Sequence, residues 1–181
     1  MTRQTARRIV CAVLVLLSVA AERPSVAQSG PQLRLADDLD FPGEGYCVDV
    51  VGVGAGARAD LPLVAHNCLP ERNVADRIVV QRDDTLVMPS YDACVTAFGV
   101  TAPLPGSPLI LRPCGGREHF LPAGALQRFE RTAEDRLRLA GTALCLAVGP
   151  DAAPTYSAVH RWRTLTMERC DTVPAALSVW D

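Results

Sequence analysis

Six cysteines follow the first 27 residues, and their side chains could either form disulfides or bind a metal. Zinc sites favour closely spaced Cys-x-x-Cys pairs, a spacing that no two of these cysteines have. An even number of cysteines is typical of a disulfide framework in an exported protein. The sequence therefore predicts disulfides and no metal site. The cysteines are Cys47, Cys68, Cys94, Cys114, Cys145 and Cys170.

Three histidines, His66, His119 and His160, could act as general bases beside a suitable nucleophile. Neither the Gly-x-Ser-x-Gly elbow of hydrolases nor the His-Glu-x-x-His pattern of metalloproteases occurs in the sequence. The glycine-rich residues 52–57 imitate a dinucleotide-binding fingerprint, but Cys68 follows too soon for the helix that such a site needs. The sequence therefore predicts a noncatalytic protein without a cofactor, in which residues 52–57 form a loop.

The segments that carry the cysteines resemble one another at a separation of about fifty residues. Residues 136–148 contain a Leu-x-Leu pair before Cys145, and residues 85–97 repeat the pattern as Leu-x-Met before Cys94. A looser copy precedes Cys47. Short units of this kind cannot bury their own apolar faces, and they pack against their copies. The repeat selects one disulfide in each unit: Cys47 with Cys68, Cys94 with Cys114, and Cys145 with Cys170.

Short strands separated by Gly- and Pro-rich turns are predicted throughout these units. Units one and two each contain four candidate strands, whereas the third ends at Trp180 after three. The missing Leu-x-Leu strand occurs at the front, in residues 32–36. We therefore predict that residues 32–36 pair with the strand containing Trp180 and close a barrel, with Leu33 or Leu35 buried. The candidate strands are residues 46–51, 63–66, 77–82, 85–88, 94–98, 109–112, 126–131, 136–139, 144–148, 164–168 and 177–180.

Aligned on these features, residues 28–181 resemble the ricin-type β-trefoil lectin family. Residues 47–50, Cys-Val-Asp-Val, are similar to the Cys-Leu-Asp-Val opening of the family, and a second cysteine follows in each unit. The family's Gln-x-Trp element is degraded here to residues 76–78, 127–129 and 178–180, which place Ile78, Phe129 and Trp180 in the core. The resemblance implies an all-β chain with the β-trefoil fold. Its three pseudo-repeats would span about residues 41–89, 90–140 and 141–181.

The resemblance also implies a sugar-binding site in the first unit. In the family, such a site uses an aspartate two residues after the first cysteine, an aromatic residue two before the second, and polar groups near Gln-x-Trp. The matching residues here are Asp49, His66 and Asp76. The other two units have Thr96, Arg112 and Gln127, or Ala147, Glu168 and Ser178, so only the first unit keeps the carboxylate.

A weaker candidate site lies in the long loop of the third unit, residues 150–163. Tyr156 and Trp162 could stack on a sugar or anchor a protein there. The alternative is that both rings pack onto the barrel.

The partner that the resemblance implies is a glycan or glycoconjugate, bound by a lectin-like protein. The alternative is a β-trefoil that binds a protein, as a toxin adhesion subunit or as an inhibitor of a secreted enzyme. Residues 28–181 carry 14 arginines and 19 acidic residues, a net charge of −5. This charge argues against a nucleic-acid partner, whose phosphates require a basic face.

The first 27 residues have the composition of a secretory signal peptide. Arg3, Arg7 and Arg8 precede an apolar run at residues 9–21, and small residues then lead to Ala27. That run is shorter than the roughly 20 apolar residues of a membrane-spanning helix. The sequence therefore predicts cleavage after Ala27 and a secreted or periplasmic protein without a membrane span.

Overall fold

The structure is a computed structural model that describes residues 30–69, 75–116 and 123–181, and the chain is all-β. Eleven strands in these residues form an antiparallel, curled sheet. The described residues contain no helix that is long and apolar enough to cross a membrane. The predicted signal peptide and His119 lie outside the described residues. The strands are β1 (Tyr46–Asp49), β2 (Val64–Asn67), β3 (Val80–Arg82), β4 (Thr85–Met88), β5 (Ala93–Ala97), β6 (Ser107–Arg112), β7 (Phe129–Arg131), β8 (Leu137–Leu139), β9 (Leu144–Val148), β10 (Ala153–Pro154) and β11 (Arg161–Arg169).

Each predicted strand except the last overlaps an observed strand, and β10 was not predicted. Residues 177–180 were predicted as a strand, but the chain forms a single-turn 3-10 helix at Ala175–Leu177 and then pairs only through isolated bridges. Pro174 precedes this turn, and its carbonyl accepts the Leu177 N–H. Because a proline fixes its own backbone angle, it favours a turn at this point over a continuous strand.

Backbone hydrogen bonds recur at matching positions of the three sequence units. In each bond, the donor follows the second cysteine of its unit, and the acceptor lies two positions before a Leu-x-Leu or Leu-x-Met strand. The donors are the N–H groups of Val79, Phe129 and Trp180, and the acceptors are the carbonyls of Pro31, Asp84 and Asp135 respectively.

The first of these bonds corrects the sequence alignment of the first unit by one residue. Val79, and not Ile78, makes the bond that matches those of Phe129 and Trp180. Val79 also belongs to the central apolar cluster, whereas Ile78 is buried outside it. Both residues are apolar, so the sequence pattern fits either phase of the strand. The residue that matches Gln127 is therefore Arg77 and not Asp76.

The N-terminal segment joins the end of the chain, as predicted. Leu35 forms a bridge with Trp180, and the Asp181 N–H donates to the Arg34 carbonyl. Leu33 and Leu35 are both buried in the central apolar cluster. This cluster contains side chains from every unit, so the segment contributes to one shared core.

The three disulfides have the predicted pairing, one in each sequence unit. Their Cα–Cα distances are 5.1, 5.0 and 5.1 Å, which are ordinary for a bridge. Three bridges in a chain of this size are typical of an extracellular or periplasmic protein. The pairs are Cys47–Cys68, Cys94–Cys114 and Cys145–Cys170.

Candidate functional site

A groove of about 610 Å³ opens between the first unit and a hairpin of the third unit. It is lined by residues 49–53, 64, 66, 69, 77, 155, 156, 160 and 162, and this set is called the groove below. Its volume lies within the range of small-molecule sites. The structure therefore brings together Asp49, His66, Tyr156 and Trp162, which the sequence assigned to two separate sites.

The hairpin that forms one wall of the groove consists of β10 and the start of β11. Trp162 pairs with Ala153 on one side and with His66 of β2 on the other. Trp162 thus belongs to a strand, although the sequence predicted a loop. Residues paired directly across an antiparallel sheet point to the same face, so Trp162 and His66 share the surface of the groove.

A row of rings follows the tip of this hairpin. The ring centroid of His160 lies 5.7 Å from that of His66 and 5.1 Å from that of Tyr156. The Thr155 N–H donates to the His160 carbonyl at 2.8 Å and closes the tip. Tyr156 is 85 % exposed, so the alternative that it packs onto the barrel is wrong. Tyr156, His160 and Trp162 line one side of the groove, which is called the aromatic wall below.

Asn67 anchors the hairpin to the first unit. Its Oδ1 accepts the Arg161 N–H at 3.0 Å, and its Nδ2 donates to Glu44 Oε2 at 2.6 Å. Because Asn67 is fully buried and bonded on both sides, it fixes the distance between β2 and the start of β11. No sequence pattern indicated this role.

A second anchor joins Arg163 to Asp40, in the acidic segment at residues 37–45 that precedes β1. Its Nη2 donates to Asp40 Oδ1 at 2.6 Å, and its guanidinium lies over the Tyr46 ring, 4.9 Å from the centroid. The hydrogen bond from Arg163 lowers the pKa of Asp40. These contacts fix the start of β11, which carries Trp162.

A buried ion pair forms the floor of the groove. Asp49 is only 3 % exposed, and its Oδ2 lies 2.9 Å from Arg77 Nε. Its Oδ1 accepts the Val50 N–H at 2.8 Å. Burial raises the pKa of Asp49 to about 7, although the positive charge of Arg77 opposes that rise. The carboxylate is therefore held in place before any ligand arrives.

Arg77 occupies the place that Gln127 has in the second unit. Gln127 Nε2 donates to Thr96 Oγ1 and to the Pro113 carbonyl, both at 3.0 Å. Arg77 correspondingly contacts Asp49 and donates to the Asn67 carbonyl at 3.3 Å. Sequence reasoning missed Arg77 because the alignment was one residue out of phase. The first unit thus has a charged pair where the second has a neutral one.

Asp76 does not line the groove, although the sequence predicted it as a ligand-binding residue. Its Oδ2 accepts the Gly54 N–H at 2.7 Å and so fixes the loop after β1. Gly52 has a φ of +91°, and a Cβ there would lie 2.3 Å from the Gly56 carbonyl oxygen. Only glycine fits this turn. Asp76 and Gly52 together hold Val53 at the rim of the groove.

His66 is a neutral hydrogen-bonding group at the pH of most solutions. Its Nδ1 lies 3.0 Å from the Asn67 carbonyl oxygen, which can only accept, so Nδ1 carries the proton. Burial lowers the pKa of His66 to about 4. The lone pair is therefore on Nε2. The 4.0 Å between Nδ1 and Asp49 Oδ2 is too long for a hydrogen bond.

The matching positions in the other units do not form a comparable site. Thr96 and Arg112 line a cavity of about 30 Å³, and Gln127 is buried against Thr96. In the third unit, Ala147 is fully buried, and Ser178 Oγ donates to the Pro174 carbonyl. Across residues 30–69, 75–116 and 123–181, no group of three or more His, Cys, Asp or Glu side chains is placed to hold a metal.

Comparisons with known proteins bear on the fold alone. No model of a protein family matches the chain, and no curated protein matches it. Among solved structures, the chain is similar to one described as the solution structure of mdaA-1 domain, with a TM-score of 0.56 and 13 % sequence identity. The alignment covers 85 % of this chain and 91 % of that one.

Proposed function

We propose that the protein is a secreted β-trefoil module that binds a saccharide in the groove. Three observations support the trefoil: the recurring backbone bonds, the sequential disulfides, and the pairing of each Leu-x-Leu or Leu-x-Met strand with the next cysteine strand. That pairing joins Arg34 with Cys47, Val87 with Cys94, and Arg138 with Cys145. The proposal includes a signal peptide at residues 1–27, which lie outside the described structure.

The observation that supports saccharide binding is an aromatic wall directly above a polar floor. A pyranose ring has apolar C–H faces that stack on aromatic rings and hydroxyls around its edge that need hydrogen bonds. Tyr156 and Trp162 supply the first kind of contact. Asp49 retains unused lone pairs, and His66 Nε2 is an acceptor, so both can receive sugar hydroxyls.

The groove favours binding over catalysis. A histidine base is usually oriented by a carboxylate bonded to its other ring nitrogen. Here His66 Nδ1 bonds the Asn67 carbonyl instead of Asp49, and a pKa of about 4 makes the ring a weak base at neutral pH. We therefore propose a noncatalytic role, in which these groups orient a bound sugar.

A protein partner is the second candidate, and one loop favours it. Phe98, Val100 and Leu104 are exposed apolar side chains in residues 98–104 of the second unit. Clusters of exposed apolar side chains often mark protein interfaces. Under this alternative the loop, and not the groove, would bind the partner.

Replacement of Tyr156 by alanine should weaken saccharide binding and leave stability unchanged. The ring is largely exposed, so its loss creates no cavity. Loss of an aromatic stacking contact corresponds to about 0.5 to 1.5 kcal/mol, or roughly twofold to twelvefold in affinity. A glycan array with the chain of residues 28–181 selects the sugar, and calorimetry compares the variants.

Phe98→Ala is the matched control, because Phe98 is also an exposed ring but lies outside the groove. It should bind the selected sugar like the unaltered protein. Absence of glycan binding by the folded, unaltered protein would refute the saccharide proposal and favour a protein partner. Equal loss in both variants would show that the groove is not the binding site.

A further inference from the structure

The wall opposite the rings is aliphatic. Val51 and Val53 line it from the loop after β1, and Val64 lines it from β2. Val53 is 63 % exposed, yet Asp76 and Gly52 hold its loop in one conformation. When a ligand covers an exposed apolar side chain, the free energy of the complex is lowered because apolar surface leaves water. The groove therefore has two chemically different walls above its polar floor.

The second unit has a matching loop, but its cavity is much smaller than the groove. Val100 stands at the position that matches Val53, and the two are similarly exposed, at 66 % and 63 %. The cavity of that unit measures about 30 Å³, and Val100 does not line it. The large groove thus arises because the third unit places Tyr156, His160 and Trp162 opposite the valines.

We propose that the groove selects saccharides that carry an aliphatic substituent, an inference that rests on the saccharide-binding function above. The sugar ring stacks on the aromatic wall, and the substituent lies against Val51 and Val53. A hydroxyl facing these valines would lose its water partners without replacement, whereas an alkyl or acyl chain would leave water favourably. The groove's volume of about 610 Å³ leaves space for such a chain beside the ring.

Matched glycosides test this selection directly. Methyl and n-hexyl β-glycosides of the sugar that the glycan array selects differ only in the length of the aliphatic substituent. Each fully buried methylene improves affinity about fourfold, so the hexyl form of a bound sugar should bind at least about tenfold more tightly. Val53→Thr keeps the side-chain shape but replaces one methyl group with a hydroxyl, and it should reduce that preference. Val100→Thr should leave it intact.

The outcomes separate the inference from the function on which it rests. Equal affinities of the methyl and hexyl forms of a bound sugar would overturn the inference and leave saccharide binding in place. An unchanged hexyl preference in Val53→Thr, or an equal loss in Val100→Thr, would also overturn it. Failure of the array to yield any bound sugar, or binding of n-hexanol as tight as that of the hexyl glycoside, would overturn saccharide recognition itself.

Discussion

Asp49→Thr alone should destabilise the protein by about 3 to 5 kcal/mol, because it leaves Arg77 charged and unpaired in the floor of the groove. Arg77 is only 8 % exposed and lies 2.9 Å from the carboxylate that would be lost. An arginine does not release its proton in a protein. The charge of Arg77 therefore remains in the variant at every pH. Because the pKa of Asp49 is raised to about 7, urea unfolding near pH 5 should show a larger loss than unfolding at pH 8.

Arg77→Gln should destabilise the protein less than Asp49→Thr does. Without Arg77, the buried carboxyl can take up a proton, since burial already raises the pKa of Asp49 to about 7. The protonated form is neutral and can bond to the new glutamine. The difference between the two single variants should be larger near pH 5, where Asp49 is protonated, than at pH 8.

The double variant Asp49→Thr with Arg77→Gln should recover most of the stability lost in Asp49→Thr. It reproduces the neutral pair of the second unit, in which Gln127 Nε2 donates to Thr96 Oγ1 at 3.0 Å. Replacing a buried ion pair as a whole is often neutral or stabilising. A double variant no more stable than Asp49→Thr, or an Asp49→Thr variant as stable as the unaltered protein, would contradict the proposed role of the pair.

The pH dependence of the free energy of unfolding measures the effect of the shifted pKa of Asp49 independently. Its pKa is raised on folding from the ordinary value of 3.8 to about 7, so its contribution to stability is fully present below 3.8 and is lost as the pH rises to 7. The pKa of His66 is lowered from 6.5 to about 4, so its contribution is lost as the pH falls through that interval. Arg77 also contributes to the lowered pKa of His66, and the variant Asp49→Thr keeps both residues. Comparison of the unaltered protein with Asp49→Thr therefore isolates the titration of Asp49, whose effect on stability is at most roughly 4 kcal/mol.

Removal of residues 28–36 should lower the free energy of unfolding by about 3 to 6 kcal/mol. This segment contributes Leu33 and Leu35 to the central cluster, and each fully buried leucine is worth about 1.5 to 3 kcal/mol. It also supplies the bridge from Leu35 to Trp180 and the acceptor for the Val79 N–H. Such a loss is a large part of the total stability of a typical domain.

Thermal unfolding of a chain that begins at Asp37, compared with one that begins at Gln28, measures this effect. The truncated chain should melt at a clearly lower temperature or fail to fold. Equal melting temperatures would show that the N-terminal strand does not contribute to the core. Leu35→Ala, which keeps the backbone of the strand, should lose about 2 to 5 kcal/mol in the same comparison.

Local sequence patterns were sufficient to predict most of the strands and all three disulfides. The Leu-x-Leu pairs alternate with the period of a strand, and their fixed distance from Cys94 and Cys145 selected the pairing. The same pattern predicted that the segment containing Leu35 pairs with the segment containing Trp180. It failed where two neighbouring residues are both apolar, because Ile78 and Val79 allow two phases of one strand.

The groove could be predicted only in part, because it depends on contacts between distant parts of the chain. Asp49 and His66 were found from the resemblance, but their position beside Tyr156 results from the pairing of β2 with β11. Trp162 was placed in a loop because its strand is extended by that same long-range pairing. The ion pair with Arg77 was missed because it required the corrected phase.

The two tryptophans of the chain allow the central claim, that a saccharide binds in the groove, to be tested in one experiment. Trp162 lines the groove, whereas Trp180 is 1 % exposed and its Nε1 donates to the Leu146 carbonyl at 3.1 Å. A ¹H–¹⁵N correlation spectrum of the labelled chain of residues 28–181 should show one indole signal for each. Titration with the sugar selected by the glycan array should shift the Trp162 signal and leave that of Trp180 unchanged. A Trp162 signal that stays in place at saturation would contradict the account.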